Sequence, residues 1–148
     1  MLERHGLKAS LRSAPSEGAD VFLLDTMGEL AWAYRYAVAT YVGGSFSGMG
    51  HNVIEPVGYG LPVTYGMRRG HFESMQKLCE RHGVGFRVAD SADLCAIWKR
   101  AILDQEFASG VRAKGAALVE AQRGAMRTTV DALEAEIVAL RKRGGRAA

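Results

Sequence analysis

Residues 21–44 read VFLLDTMGELAWAYRYAVATYVGG, and this stretch decides the fold. Residues 21–24 are a compact apolar run, which is typical of a strand buried on both faces. After the polar turn that starts at Asp25, apolar residues recur at helical spacing: Leu30, Trp32, Ala33, Tyr36 and Ala37. Residues 40–42 are a second short strand, which Gly43 and Gly44 end. A strand, a helix and a strand in this order predict parallel pairing through a right-handed crossover.

The same alternation continues on both sides of this stretch. Further strands are expected at residues 8–12, 62–65 and 85–88. Helices are expected from about Asn52 to Gly60, from Glu73 through Cys79 to an end at His82 and Gly83 with glycine as the C-cap, and from a Ser91 cap onward. The last of these has a core-facing stripe of Leu94, Ile97, Trp98, Ala101 and Ile102. From Phe107 to Arg141 the pattern is helical only. We therefore predict an α/β fold: a Rossmann-like open parallel sheet with helices on both faces, ending in a long helix.

Size and composition are those of one ordinary domain, residues 1–148. The apolar fraction is 48%, the charged fraction is 24%, and the net charge is +3. Basic residues are not interleaved with aromatic ones, so nucleic acid is not expected as a partner. Cys79 and Cys95 lack metal spacing and are expected to be buried, reduced thiols, and we expect no metal site. The sequence contains no apolar run of 18 residues that could span a membrane.

Ligands of open α/β sheets bind beyond the carboxyl ends of the strands, where three junctions are candidates: residues 25–29, 43–55 and 66–72. The middle junction has four glycines and two serines between Gly43 and His51, which favours a phosphate site at the start of a helix. It is neither a Walker A loop, because Met49 stands where lysine is needed, nor a dinucleotide fingerprint, because Val53 replaces the third glycine.

Two glutamates occupy first turns of predicted helices at these junctions. Glu29 and Glu55 could accept hydrogen bonds from ribose hydroxyls or a base, or could simply complement the helix dipole. Asn52 is equally a helix cap and a possible ligand. His51 and His71 lie in loops on the same side, without the spacing of a zinc site.

Four blocks of the sequence carry a family resemblance: residues 25–30 (DTMGEL), 41–45 (YVGGS), 50–56 (GHNVIEP) and 60–63 (GLPV). In order and spacing they resemble the 3-deoxy-D-manno-octulosonic acid (Kdo) transferases, and the likeness runs from about Leu11 to Arg123. Those enzymes move Kdo from CMP-Kdo onto the lipid A precursor during lipopolysaccharide assembly.

The resemblance implies a fold, a donor and its contacts. The chain would be the C-terminal, donor-binding half of a GT-B enzyme, with CMP-Kdo as donor substrate and no cofactor. Met27, Gly28 and Glu29 match one CMP-contacting segment of the family. Asn52 and Glu55 match a second, with Val53 and Ile54 between them. Residues 66–72 depart from the family pattern, because Arg68 stands in place of a histidine.

The resemblance also implies an N-terminal domain that precedes Met1 and holds the catalytic carboxylate, the site for the lipid A precursor and the membrane-anchoring segment. We therefore expect no catalytic residue in this chain, which would be soluble and inactive on its own. The full enzyme would act at the cytoplasmic face of the bacterial inner membrane. It would associate with the membrane only through its N-terminal region.

Two other readings stay open. The chain could belong to a GT-B transferase or epimerase that uses a UDP-sugar, or it could be a non-catalytic α/β interaction domain. The latter would use an apolar seam at residues spaced four and three apart, namely Met126, Val130, Leu133, Ile137 and Leu140. In a GT-B enzyme, residues 107–141 are instead expected to cross to the N-terminal domain.

Overall fold

A computed structural model of the chain describes residues 2–46, 51–68 and 71–144, without the side chains of residues 3, 125 and 139–144. The chain divides into two compact units, Met1–Ala37 and Val38–Ala148. All five predicted strands form, and they pair in parallel as predicted. They fall into two sheets, one of two strands and one of three.

The first unit contains a 3₁₀ helix (Leu2–His5), β1 (Ala9–Leu11), β2 (Val21–Leu23), α1 (Leu30–Ala33) and a 3₁₀ turn (Tyr34–Tyr36). β1 and β2 pair with Ala9 opposite Val21. The prediction that residues 21–24 are buried on both faces is wrong, because Phe22 is 59% exposed and Leu23 is 42% exposed. Two strands and one turn of α-helix are too few to cover both faces of β2.

The second unit contains β3 (Thr40–Val42), α2 (Ile54–Gly58), β4 (Val63–Gly66), α3 (Glu73–Arg81), β5 (Gly85–Val88), α4 (Ser91–Leu103) and α5 (Gln105–Gly144). Its sheet has the order β3-β4-β5, with Thr40 opposite Val63 and Val63 opposite Gly85. All four residues of the central strand β4 are buried. This is the pattern of a parallel strand that helices cover, so the predicted α/β architecture is confirmed.

The core of the second unit joins the sheet to α2 and to the first half of α5. Val57 of α2 and Leu118 of α5 are almost completely buried in one cluster. Gly115 permits this packing, because a Cβ atom there would lie 2.9 Å from the carbonyl oxygen of Val57. The close approach anchors α5 on α2, directly behind the junction that follows β3.

The second half of α5 is exposed along the part whose side chains the structure describes. Every described side chain from residue 121 to residue 138 is exposed. The predicted long helix is confirmed, with bounds slightly wider than 107–141. Four residues of the predicted seam are exposed: Met126, Val130, Leu133 and Ile137. The side chain of Leu140 lies outside the described part. Crossing of this helix to another domain stays a prediction.

Two local predictions about α4 are wrong, and one about α3 is confirmed. Asp90, not Ser91, caps α4, because its carboxylate accepts hydrogen bonds from the backbone of Ala92 at 2.8 Å and Asp93 at 3.0 Å. Ile102 is 63% exposed and leaves the predicted stripe, since α4 ends one residue later. Gly83 follows α3 with φ +65°, as the C-cap prediction requires.

The two cysteines also differ from each other. Cys79 is buried in the core as predicted, whereas Cys95 is exposed, so the prediction of two buried thiols is wrong for Cys95. Burial raises the pKa of the Cys79 thiol to about 11, and the neighbouring Glu80 adds to this shift. Among the described residues, no helix is long and apolar enough to cross a membrane.

Candidate functional site

The β2–α1 junction is fastened to the segment that follows β1. The carboxylate of Asp25 accepts hydrogen bonds from the backbone N–H of Ser13 at 3.0 Å and from the Ser13 hydroxyl. The hydroxyl bond is the main cause that lowers the pKa of Asp25, and the backbone bond adds to it. Asp25 is therefore ionised at neutral pH and holds the first residue of the junction in place.

Glu29 closes the same junction with a second set of contacts. Its carboxylate accepts from Arg12 Nε at 3.1 Å and from the Thr26 hydroxyl. The Thr26 bond, followed by the bond and charge of Arg12, lowers the pKa of Glu29. Glu29 precedes α1 but makes no side-chain cap. Tertiary contacts, rather than a helix-dipole role alone, thus account for its position.

Met27 and Gly28 form the exposed tip between these two carboxylates. The Met27 side chain is 97% exposed. Gly28 has φ +86°, in the left-handed region, and nothing lies within 4 Å of the position its Cβ would take. Backbone conformation, not space, therefore requires glycine here. The tip offers backbone groups and an exposed apolar side chain to solvent.

An open groove of about 480 Å³ lies beside Glu29 in the first unit. It is lined by the charged Arg12 and Glu29 and by the apolar Phe22, Leu24 and Trp32. In the sequence Arg12 is only the end of a predicted strand, so its contact with Glu29 was not predicted. Sequence periodicity carries no signal for an ion pair between residues 17 positions apart.

The predicted residues of the second junction divide into buried and exposed ones. Val53 is completely buried, so its side chain serves packing and only its backbone can meet a ligand, whereas Ile54 packs against the core and is partly exposed. Asn52 is exposed, and its Oδ1 accepts from the backbone N–H of Ile54 at 3.0 Å. Val53, not Asn52, is the N-cap residue of α2, so Asn52 stabilises the turn before the helix and the cap reading of Asn52 is wrong. Glu55 is exposed in the first turn of α2.

The glycine-rich loop of this junction is described only in part. Gly48 and Gly50 lie outside the described residues, so the predicted phosphate site there stays a prediction. α2 begins at Ile54, two residues later than expected, and has only five residues. Its dipole is correspondingly small, so the case for a phosphate site rests on the loop rather than on the helix.

Ser45 joins the carboxyl ends of β3 and β4. It is 1% exposed, and its Oγ donates to the Val42 carbonyl at 2.8 Å and accepts from the Gly66 N–H at 2.7 Å. The Phe46 ring lies against Gly66, where a Cβ atom would be 2.9 Å from the ring. Ser45 therefore fixes the second and third junctions side by side. The sequence places Ser45 in the glycine-rich loop and at the end of the YVGGS block, but carries no signal for its bond to Gly66.

The third junction presents Arg68 and His71 at the protein surface. Residues 69 and 70 between them lie outside the described part. Within residues 2–46, 51–68 and 71–144, no group of three His, Cys, Asp or Glu side chains could hold a metal ion.

These features are those of an α/β protein with parallel sheets. Parallel strands alternate with helices, and polar residues collect where the strands end, which is where α/β proteins bind their ligands. The fold is similar to that of a solved structure with a TM-score of 0.71, at 24% identity, covering 79% of this chain and 63% of that one. That structure is the C-terminal CMP-Kdo binding domain of WaaA from Acinetobacter baumannii.

Two named relatives are similar to the chain in sequence. The chain is 34% identical over 139 residues to a 3-deoxy-D-manno-octulosonic acid transferase of Bordetella pertussis, covering 90% of this chain and 32% of that enzyme. It is 31% identical over 131 residues to the enzyme of the same name from Haemophilus influenzae, covering 86% of this chain and 30% of that enzyme. The chain matches no protein-family model.

The resemblance found from the sequence motifs is thereby confirmed. The chain is related in sequence to the Kdo transferases along most of its length, and it spans about a third of the length of these relatives.

Proposed function

We propose that the chain is the donor-binding part of a GT-B glycosyltransferase. The enzyme would transfer Kdo from CMP-Kdo to a lipid A precursor during lipopolysaccharide biosynthesis, at the cytoplasmic face of the inner membrane. One observation carries the proposal. The two segments that match CMP contacts of the family, residues 27–29 and 52–55, each follow the carboxyl end of a parallel strand. The similarity to named Kdo transferases supports the choice of donor.

In this proposal a carboxylate recognises the nucleoside part of the donor. Glu29 is ionised and already held by Arg12 and Thr26, so it can accept a further hydrogen bond from a ribose hydroxyl without reorganising. Glu55 is exposed in the second unit and offers the same chemistry. Asn52 holds the turn before Glu55 through the Ile54 N–H.

The phosphate of CMP is assigned to the backbone of the glycine-rich loop before α2. Transfer forms a bond between an acceptor hydroxyl and the anomeric carbon of Kdo, and it breaks the bond from that carbon to the CMP phosphate oxygen. The departing CMP carries the developing negative charge, which backbone N–H groups stabilise. A carboxylate outside this chain takes the acceptor proton as general base, so the chain alone binds donor without turnover.

A second candidate function rests on the exposed seam of α5. Four apolar side chains on one helical face without cover favour a role in binding a partner helix. A purely non-catalytic interaction domain predicts no nucleotide binding, which separates it from the proposed function.

Titration with CMP, followed through backbone amide signals, tests where the nucleotide binds. We expect millimolar CMP to shift amides in residues 27–29 and 52–55. Replacement of Glu55 by Gln should weaken binding by about 1–3 kcal/mol, the range for leaving a charged hydrogen bond unmade. Its free energy of unfolding should change by under about 1 kcal/mol, the size of a lost dipole interaction.

A matched control is Glu106→Gln, which removes the exposed first-turn acid of α5 instead. That variant should bind CMP as the wild-type chain does. If CMP shifts no amide in either segment, the site assignment is wrong. If Glu55→Gln is less stable but binds normally, Glu55 is only a helix-start acid.

A further inference from the structure

Arg87 of β5 is the centre of a cluster of polar side chains under the third junction. Its Nε donates to Glu80 Oε1 at 2.6 Å, and its second guanidinium nitrogen donates to Gln76 Oε1 at 3.2 Å. Only 18% of the Arg87 side chain is exposed, and Gln76 is 2% exposed. Both acceptors belong to α3, so the guanidinium is fixed against that helix.

Tyr65 of β4 is the fourth member of this cluster. Its ring is completely buried and lies under the guanidinium, with Arg87 Cζ 5.6 Å from the ring centroid. The hydroxyl lies 3.0 Å from both the Gln76 carbonyl and Glu80 Oε1. Burial and the nearby Glu80 raise the pKa of Tyr65, so its hydroxyl stays a neutral donor. These contacts leave the Arg87 head group little freedom to move.

The remaining contact of Arg87 is directed at the junction. A third guanidinium nitrogen donates to the carbonyl oxygen of Met67 at 3.3 Å, and Met67 is the first residue after β4. On the other side of the same strand end, Ser45 Oγ accepts from the Gly66 N–H. Two long-range bonds thus fix consecutive residues, one to β5 and one to the segment after β3.

We propose that Arg87 is a positioning residue of the donor site. Through the Met67 carbonyl it fixes where the β4–α3 junction leaves the sheet, next to the junction that carries Asn52 and Glu55. The inference rests on the proposed function, because it takes the neighbouring junction with Asn52 and Glu55 to be part of the donor site. It adds a residue that acts through the backbone of another.

Only arginine has the geometry for this task. Its planar guanidinium group donates to Glu80, Gln76 and Met67 through three different nitrogens, whereas lysine has a single nitrogen at the end of a flexible aliphatic chain. Lysine at position 87 would keep the charge beside Glu80 and lose the bond to Met67. Arg87→Lys therefore separates the positioning role from the ion pair.

The test measures CMP affinity by amide titration for the wild-type chain, Arg87→Lys and the control Arg81→Lys. Arg81 is an exposed arginine in the last turn of α3. We expect Arg87→Lys to bind CMP about 2–10-fold more weakly, the effect of one lost hydrogen bond, and to shift the amides of Met67 and Arg68 without ligand. Arg81→Lys should match wild type in both measurements.

Glu80→Gln is a second variant, which keeps Arg87 but removes the charge of its ion-pair partner. It tests the positioning role of Arg87 if Arg87→Lys does not fold. It should shift the Met67 and Arg68 amides and weaken CMP binding in the same direction. If the folded variants bind CMP as wild type does, the inference is overturned and the proposed function stands, even where thermal stability falls. If the wild-type chain itself binds no CMP, both are overturned.

Discussion

At the scale of single residues, acids at the start of a helix have two possible explanations, and the contacts separate them. Glu29 is bonded to Arg12 and Thr26, and Asp25 is bonded to Ser13, so both carboxylates connect the β2–α1 junction to the segment after β1. Glu55 is exposed at the start of α2, where dipole and ligand roles remain to be separated by its glutamine variant.

The lowered pKa values predict an acid response of the first unit. A carboxyl group whose pKa is lower in the folded state stabilises that state above its ordinary pKa. This stability is lost as the pH falls through the lowered value. Asp25 and Glu29 have ordinary pKa values of 3.8 and 4.5. We therefore expect the Ser13 amide signal to be constant above about pH 5 and to move toward its unfolded position below about pH 4.

Asp25→Asn should remove part of this acid response, because asparagine does not titrate. The control is Asp131→Asn, an exposed aspartate on α5, which should respond to acid as wild type does. If Asp25→Asn keeps the full wild-type acid response at Ser13, the hydrogen bonds of Asp25 do not hold the junction.

Sequence reasoning found the residues that a local pattern marks and missed those that distant contacts define. Glu29 and Glu55 were predicted because each opens a helix beside a strand end. Ser45 and Arg87 were not, since their partners Gly66 and Met67 are about twenty residues away in sequence. Val53 matches a family segment, yet its side chain belongs to the core, a distinction that a motif does not contain.

At the scale of elements, the positions of the strands and helices could be predicted from the spacing of their apolar residues, but the residues at which they begin and end could not. The ends depend on single contacts, such as the carboxylate of Asp90 at the start of α4. The burial of β2 was also misjudged, because an apolar run shows what a strand can bury and not what covers it.

The seam of α5 gives a prediction at this scale. Burial of exposed apolar surface in an interface contributes about 25 cal/mol of favourable free energy per Å². We therefore expect the chain to self-associate through Met126, Val130, Leu133 and Ile137. Leu133→Glu with Ile137→Glu should give a monomer in analytical ultracentrifugation. The melting of the second unit should be unchanged, because both side chains are already about half exposed.

Ala132→Glu with Ala135→Glu is the matched control, because it adds the same two charges at exposed positions away from the seam. It should associate as wild type does. A wild-type chain that stays monomeric at high concentration would contradict seam-driven association. A core that melts on the seam changes would mean that the seam is part of this unit's interior.

At the scale of the whole molecule, the α/β class and the parallel pairing were predictable because alternating elements allow few topologies. The division into the units Met1–Ala37 and Val38–Ala148 was not, since the sequence between β2 and β3 contains no linker composition. The relation to the Kdo transferases is equally a property of the whole chain, carried by several blocks in order rather than by one motif.

The central claim is that this molecule recognises a cytidine nucleotide, and competing CMP against UMP on the wild-type chain tests it most directly. The two ligands share ribose and phosphate and differ in the base, where cytosine has an amino donor and uracil a carbonyl acceptor. A site built for CMP leaves a polar group unpaired when UMP binds, which costs about 1–3 kcal/mol. We therefore predict that CMP has a dissociation constant about tenfold lower than that of UMP. Equal affinities would contradict the assignment, and tighter binding of UMP would contradict it and favour a UDP-sugar enzyme.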